Sequence, residues 1–212
     1  MDTESLRNRV IAIAGLIGVG KTHLARRLSE LLGMPAIYEK TDGKMLELFY
    51  ADRARHAFAL QIQLLHERLA MQKHAAYSPS GAILDRSREE DWAFVQMLVA
   101  EGSIEPNHAR VYENLCDELD KDLRAPDVIV FLRATPETCL ERIRERNRGI
   151  ESGVTIEYLQ QLDAQYDRLI ERLLDRGVNI ITIDWTQFQD VETTATRIAR
   201  ALRTFKGQHI VL

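Results

Sequence analysis

The sequence predicts an α/β domain: one sheet of five parallel strands, flanked by helices on both faces. Three observations predict it. Short apolar runs alternate with amphipathic stretches along most of the 212 residues, the pattern of strands joined by crossover helices. The first strand and first helix are joined by Gly15-Leu16-Ile17-Gly18-Val19-Gly20-Lys21-Thr22, a phosphate-binding loop pattern that needs a strand before it and a helix after it. Two later strands end in an acid, Glu39 and Asp85, and open parallel sheets bring all such strand ends to the rim where ligands bind.

The elements follow in order. Val10 to Ala14 is an apolar run with β-branched members, as a buried parallel strand requires. His23 to Leu32 has helical apolar spacing and is closed by Gly33. Met34 to Glu39 is a short strand, and residues 41–45 form a turn. Leu46 to Met71 reads as helical, with a break near Ala51-Asp52. Ser78-Pro79-Ser80-Gly81 is a turn, and Ala82 to Asp85 is the third strand. Helices are expected from Glu89 to Ala100 and from Ala109 to Leu123. Asp127 to Leu132 is the fourth strand. Pro136 opens a helix carrying Arg142, Arg146 and Arg148, with Gly149 as its stop. Thr155 to Arg176 is a long amphipathic helix ended by Gly177, Val178 to Ile183 the fifth strand, and Thr193 to Thr204 the last helix.

The length suits a single domain over residues 1–212. A net charge of −4 argues against a nucleic-acid-coating role, so no nucleic-acid partner is expected. No apolar stretch is long enough to span a bilayer, and no membrane partner is expected. Cys116 and Cys139 match no metal or redox spacing and read as inert thiols. The first apolar run is interrupted by glycines and Lys21 and nothing resembles a small-residue cleavage site, so no export signal is read and a cytoplasmic location is expected.

The rim has the parts of a phosphoryl-transfer site. The loop glycines let main-chain N–H groups converge on an anion, reinforced by the positive end of the new helix. Lys21 would reach the β- and γ-phosphates of a triphosphate, and Thr22 would hold Mg²⁺. Asp85 would bind the same ion directly or through water; the ordinary alternative is a strand-terminal Asp that caps the next helix. Arg86 would bridge acceptor and phosphoryl group. Glu39 bears on the acceptor. A hydroxyl must lose its proton to a nearby carboxylate, whereas a phosphate acceptor needs no base and would be repelled by one. If Glu39 faces the acceptor, the acceptor is an alcohol. Arg142 and Arg146 lie four apart on one helix face. With Arg148 they suggest an arginine-rich lid over the transferring group, with a solvated basic face as the plain alternative.

Taken together, these residues resemble the deoxynucleoside kinases over about Val10 to Asp184. The resemblance rests on Asp85-Arg86-Ser87 with Asp91, on Pro136 to Arg148 continuing into Glu151 and Glu157-Tyr158-Leu159, and on Phe49-Tyr50, Phe58 to Gln61 and Arg68. It implies a P-loop kinase fold and transfer of the γ-phosphate of ATP to the 5′-hydroxyl of a deoxynucleoside. It implies Glu39 as general base and Arg86 at the acceptor end. Tyr50 and Glu151 would hold the sugar 3′-hydroxyl. Gln61, Arg68 and Asp91 would contact the base. Arg142, Arg146 and Arg148 would form the lid, with Arg142 stacking on the donor base. ATP and Mg²⁺ are the implied donor and cofactor, and a homodimer the implied assembly. Without the resemblance, Gln61 and Arg68 read as surface residues and Tyr50 as core.

Some positions depart from the family pattern. Lys40 follows Glu39 where many relatives have Pro, and Ile150-Glu151 stands where an acidic pair is common. An ionised Asp91 can only accept hydrogen bonds, and thymine has no exocyclic amine to donate. Arg68 with Asp91 therefore argues against a thymidine-specific site; among the other deoxynucleosides the expectation is deoxyadenosine first, then deoxyguanosine or deoxycytidine. A thymidylate-like nucleoside monophosphate kinase and a non-catalytic nucleotide-binding protein are the competing readings.

Overall fold

A computed structural model describes residues 4–40, 43–147, 153–204 and 209–212. Each predicted strand forms: β1 Val10–Gly15, β2 Ala36–Tyr38, β3 Ala82–Asp85, β4 Val128–Arg133 and β5 Ile180–Asp184. A further strand, β6 His209–Val211, corrects the expected five to six. The order is β2-β3-β1-β4-β5-β6, and every pairing is parallel. Every residue of β1 and β3 is buried, as is each of β4 except Arg133. This is why these strands are unbroken apolar runs. The strand order turns back at β1, which lies between β3 and β4, so the crevice beyond its carboxyl end is where such sheets bind ligands.

The helices are α1 Lys21–Leu32, α2 Gly43–Ala51, α3 Arg53–Ala76, α4 Asp91–Ala100, α5 Pro106–Asp120, α6 Pro136–Arg146, α7 Ile156–Asp175 and α8 Val191–Thr204. Helix α1 begins at Lys21, two residues before the expected start, because Gly20 at φ 110° turns the loop straight into it. Gly43, Lys44 and Met45, expected within a turn over 41–45, instead open α2; residues 41 and 42 lie outside the described residues. The break near Ala51-Asp52 is present, with the Asp52 carboxylate accepting from Arg55 N at 3.1 Å to cap α3. Helix α5 starts at Pro106 rather than Ala109, with proline in its first turn. Helix α6 is capped by Thr135 and ends at Arg146, where Asn147 turns left-handed at φ 48°. The expected stop at Gly149 lies outside the described residues, as do Arg148, Ile150 and Glu151. Among the described residues no helix is long and apolar enough to cross a membrane.

Candidate active site

Sheet register brings the expected groups together. Asp85 pairs with Tyr38 on one side and with Ile13 on the other. Glu39 and Arg86 therefore leave adjacent strands side by side, next to the loop that follows Gly15. A cavity of about 740 Å³ opens at this rim. Its walls include Lys21 and Thr22 of the loop, Glu39, Asp85 and Arg86 of the strand ends, Tyr50 of α2, Gln61 and Arg68 of α3, and Arg142 and Arg146 of α6.

The loop is closely packed from behind. A side chain at Gly18 would meet the Cys139 carbonyl oxygen at 2.4 Å, and the backbone there has φ 85°. Only glycine fits, and the loop backbone is free to face an anion. Lys21 is buried, its Nζ donating to Gly15 O at 2.7 Å and to Leu16 O at 2.8 Å. Burial, helped by the Arg86 charge, lowers its pKa to about 8, with Glu90, Asp85 and Glu39 opposing. Thr22 Oγ1 donates to Asp85 Oδ2 at 2.6 Å, so a hydroxyl and a carboxylate oxygen converge at the mouth of the cradle.

Glu39 sits against two guanidiniums. Arg68 Nη2 and Nε lie 2.6 and 2.8 Å from its Oε1, and Arg86 Nε lies 3.4 Å from its Oε2. Burial pushes the Glu39 carboxyl up, but Arg68, Arg86 and Lys21 together outweigh it and leave the pKa at about 2. Arg86 itself has φ 107°, a conformation non-glycine residues rarely adopt. It is held there by Arg86 N donating to Ile13 O at 3.1 Å, by Glu39, and by Glu90.

The α3 side of the cavity is more buried than the sequence suggested. Gln61 and Arg68, expected on the surface without the family resemblance, are 2% and 3% exposed. Arg68 Nη1 pairs with Asp91 at the start of α4, itself fully enclosed. Tyr50 lines the cavity and packs on Gly153, while Arg53 stacks its guanidinium among the rings of Phe49, Tyr50 and Tyr158. Beside the loop, Arg142 donates to Val19 O at 2.9 Å, Trp185 O at 3.0 Å and Thr186 O at 2.8 Å. Its guanidinium lies 4.4 Å from the centre of the Phe188 ring.

Sequence reasoning missed several of these groups. Glu90 is fully buried and accepts from Gly15 N at 3.0 Å, from Tyr166 OH at 2.5 Å and from Ser87 N at 2.8 Å. It thereby ties the phosphate loop, α7 and the Arg86 segment together. Its signal was present in Ser87-Arg88-Glu89-Glu90, a capping-box pattern that the structure realises. Phe188 and His23 also line the cavity, and no motif marked them; Tyr158 lines it too, and the resemblance had quoted it without giving it a role.

A glycine cradle, a lysine, a hydroxyl–carboxylate pair and converging arginines at a parallel-sheet switch point define a phosphate-loop phosphotransferase. A family model described as deoxynucleoside kinase matches residues 11–206. The chain belongs to the deoxynucleoside kinase family, whose members are ATP-dependent phosphotransferases acting on a hydroxyl group. It is similar to a deoxyadenosine kinase of Dictyostelium discoideum, with 38% identity over 196 residues, 92% of this chain and 80% of that protein. It is also similar to a deoxyadenosine/deoxycytidine kinase of Bacillus subtilis (strain 168), with 32% identity over 168 residues, 77% of each. The solved structure of a deoxyadenosine kinase from M. mycoides with bound dATP superposes with a TM-score of 0.78 at 24% identity, covering 92% of this chain and 99% of that one. That likeness bears on the fold.

Proposed function

We propose that this kinase transfers the γ-phosphoryl group of ATP to the 5′-hydroxyl of a purine deoxynucleoside, deoxyadenosine first, with deoxyguanosine or deoxycytidine as further acceptors. The observation that carries the reading is Glu39: a carboxylate in the wall of the cavity that the phosphate loop also lines. In the reaction the 5′-oxygen bonds to the γ-phosphorus as the bond to the β–γ bridging oxygen breaks. The hydroxyl proton passes to Glu39, and ADP leaves. Gly15, Leu16, Ile17, Gly18, Val19 and Gly20 wrap the phosphates, and Lys21 swings from its carbonyl partners to the β- and γ-oxygens. Arg86 steadies the acceptor oxygen, while Arg142, Arg146 and Arg148 disperse charge on the phosphoryl group and hold the donor. Tyr50, with Glu151, holds the 3′-hydroxyl, and Gln61, Arg68 and Asp91 read the base. The relatives' deoxyadenosine names support the base preference.

The residues at the cradle fit a Mg²⁺ ion. Thr22 Oγ1 and Asp85 Oδ2, 2.6 Å apart, are hard oxygen donors beside the phosphate site. Among the described residues no cluster of three or more His, Cys, Asp or Glu is built to hold a metal by itself. Mg²⁺ needs no such cluster, because it is held by one or two protein oxygens together with phosphates and water. When bound it neutralises charge on the β- and γ-oxygens. The proposal includes one domain over residues 1–212, a homodimer and a cytoplasmic location. Val111 and Leu115, exposed one turn apart on α5, support the dimer. The free cysteines, their thiols pushed up to about 11 by burial, fit a reducing compartment.

The test is ADP release from ATP and Mg²⁺ with a panel of deoxynucleosides and their monophosphates. Turnover with deoxyadenosine is expected. Turnover only with monophosphates would replace this reading by a monophosphate kinase. ATP binding without turnover would leave a non-catalytic protein.

A further inference from the structure

The side chain that faces the base pocket also restrains the carboxylate that the reaction needs. Arg68 stands in the middle of α3, enclosed, with its fork divided between two acids. Nε and Nη2 both go to Glu39 Oε1, and Nη1 goes to Asp91. On the reading above, these acids serve opposite ends of the acceptor: Asp91 the base and Glu39 the 5′-hydroxyl. Two buried acceptors beside this pair have no hydrogen-bond partner, Gln61 Oε1 and Asp91 Oδ2. Buried acceptors left unpaired are costly, and N–H donors of a base relieve them. A purine that presents amine hydrogens to Gln61 and Asp91 also presents ring nitrogens, which are acceptors. The guanidinium donors available to those nitrogens are the ones now held by Glu39.

We propose that recognition of the base releases Glu39. An incoming base draws the Arg68 fork off Glu39 Oε1, and the freed carboxylate takes the 5′-hydroxyl as its partner. The inference rests on the kinase reading of this site and adds to it a link between the two ends of the acceptor. The restraint is electrostatic as well as geometric. Arg68 is the largest of the charges opposing the effect of burial at Glu39, ahead of Arg86 and Lys21, and a carboxylate so held is a poor proton acceptor. Binding energy from the base, remote from the reacting atoms, is then converted into readiness of the base catalyst. A sugar that lacks a base should lose kcat as well as affinity.

The experiment compares deoxyadenosine with 1,2-dideoxyribose, the same sugar without a base, in steady-state kinetics with radiolabelled ATP. In the unmodified enzyme kcat for the bare sugar should be roughly tenfold or more below that for deoxyadenosine. In Arg68→Met, KM for deoxyadenosine should rise, while kcat for the bare sugar rises by about threefold or more. An increase on deleting an active-site arginine is a sign that a merely structural role does not produce. Because Arg68→Met leaves the Asp91 charge buried alone, the double variant Arg68→Met/Asp91→Asn supplies the same comparison if the single variant fails to fold. Bare-sugar kcat that stays level or falls in whichever variant folds would overturn the release. No turnover of any deoxynucleoside by the unmodified enzyme would instead overturn the kinase reading, and the inference with it.

Discussion

Replacing Glu39 by glutamine probes the charge balance of the rim through stability as well as turnover. Burial raises the pKa of this carboxyl, and Arg68 of α3, Arg86 after β3 and Lys21 of α1 more than reverse the rise, leaving about 2 against an ordinary 4.5. A carboxylate with a depressed folded pKa stabilises the fold above its unfolded value, and the gain is lost as pH falls through the folded value. The drop from 4.5 to about 2 corresponds to about 3 kcal/mol. The side chain is only 15% exposed, so solvent screening removes little of this. Glutamine keeps the shape and deletes the charge, while Arg68 retains Asp91 and Arg86 retains Glu90 as partners. Urea unfolding at about pH 7 should therefore show Glu39→Gln less stable by about 3 kcal/mol. The gap should close between pH 4.5 and 2, where only the parent chain has this stabilisation to lose. Turnover should fall by roughly 10² or more with nucleotide affinity nearly unchanged. A stability gap that persists unaltered to the acid end would refute the reasoning, because it would be a packing effect.

Three other substitutions test separate parts of the site. Gly18→Ala puts a methyl 2.4 Å from the Cys139 carbonyl oxygen at a left-handed φ; about 1–3 kcal/mol of stability should be lost, with weaker ATP binding, as read by thermal unfolding and nucleotide titration. Phe188→Ala removes the ring that lies on Arg142 and covers Gly20, so KM for ATP should rise roughly tenfold with a smaller change in kcat. Glu90→Gln takes the charge from a buried carboxylate that serves Gly15, Tyr166, Ser87 and Arg86, and should cost about 3 kcal/mol in urea unfolding together with a fall in kcat.

The parts of this fold legible in the sequence are those governed by local pattern. Strands buried on both faces must be apolar throughout, so β1, β3 and β4 stood out, and the phosphate loop is a contiguous motif. Strand β6 did not, because three residues at a sheet edge with two exposed side chains have neither the length nor the alternation of a strand. Gln61 and Arg68 looked like surface residues for a related reason. Helix α3 mixes buried apolar positions with buried Gln61, Arg68 and Gln72, so polarity along it does not track exposure. Glu90 was visible only as a helix-capping signal. Its bond to Gly15 N spans 75 residues of chain and depends on β1 and β3 lying side by side. Glu39 and Asp85 were found because fold geometry, rather than any motif, sends successive strand ends to one rim.

Arg86 shows how strain and function divide at this rim. Its φ of 107° costs about 1–3 kcal/mol in a non-glycine residue. Against this stand its contacts with Glu39 at 3.4 Å and Glu90 at 3.4 Å, both at the long end for ion pairs, and a cation–ring contact of 5.5 Å with Phe94. Neither carboxylate depends on it alone, since Glu39 keeps Arg68 and Glu90 keeps three closer donors. Arg86→Gly should therefore relieve the strain and leave no carboxylate without a partner, so that stability changes by no more than about 1–2 kcal/mol. The lost guanidinium should still cost about 10³ in kcat, the scale for arginines that stabilise a transferring phosphoryl group. Urea midpoints and single-turnover rates on one preparation read both quantities. A loss of more than about 3 kcal/mol would make Arg86 a structural ion-pair partner, and its left-handed backbone would then need a packing explanation rather than a catalytic one.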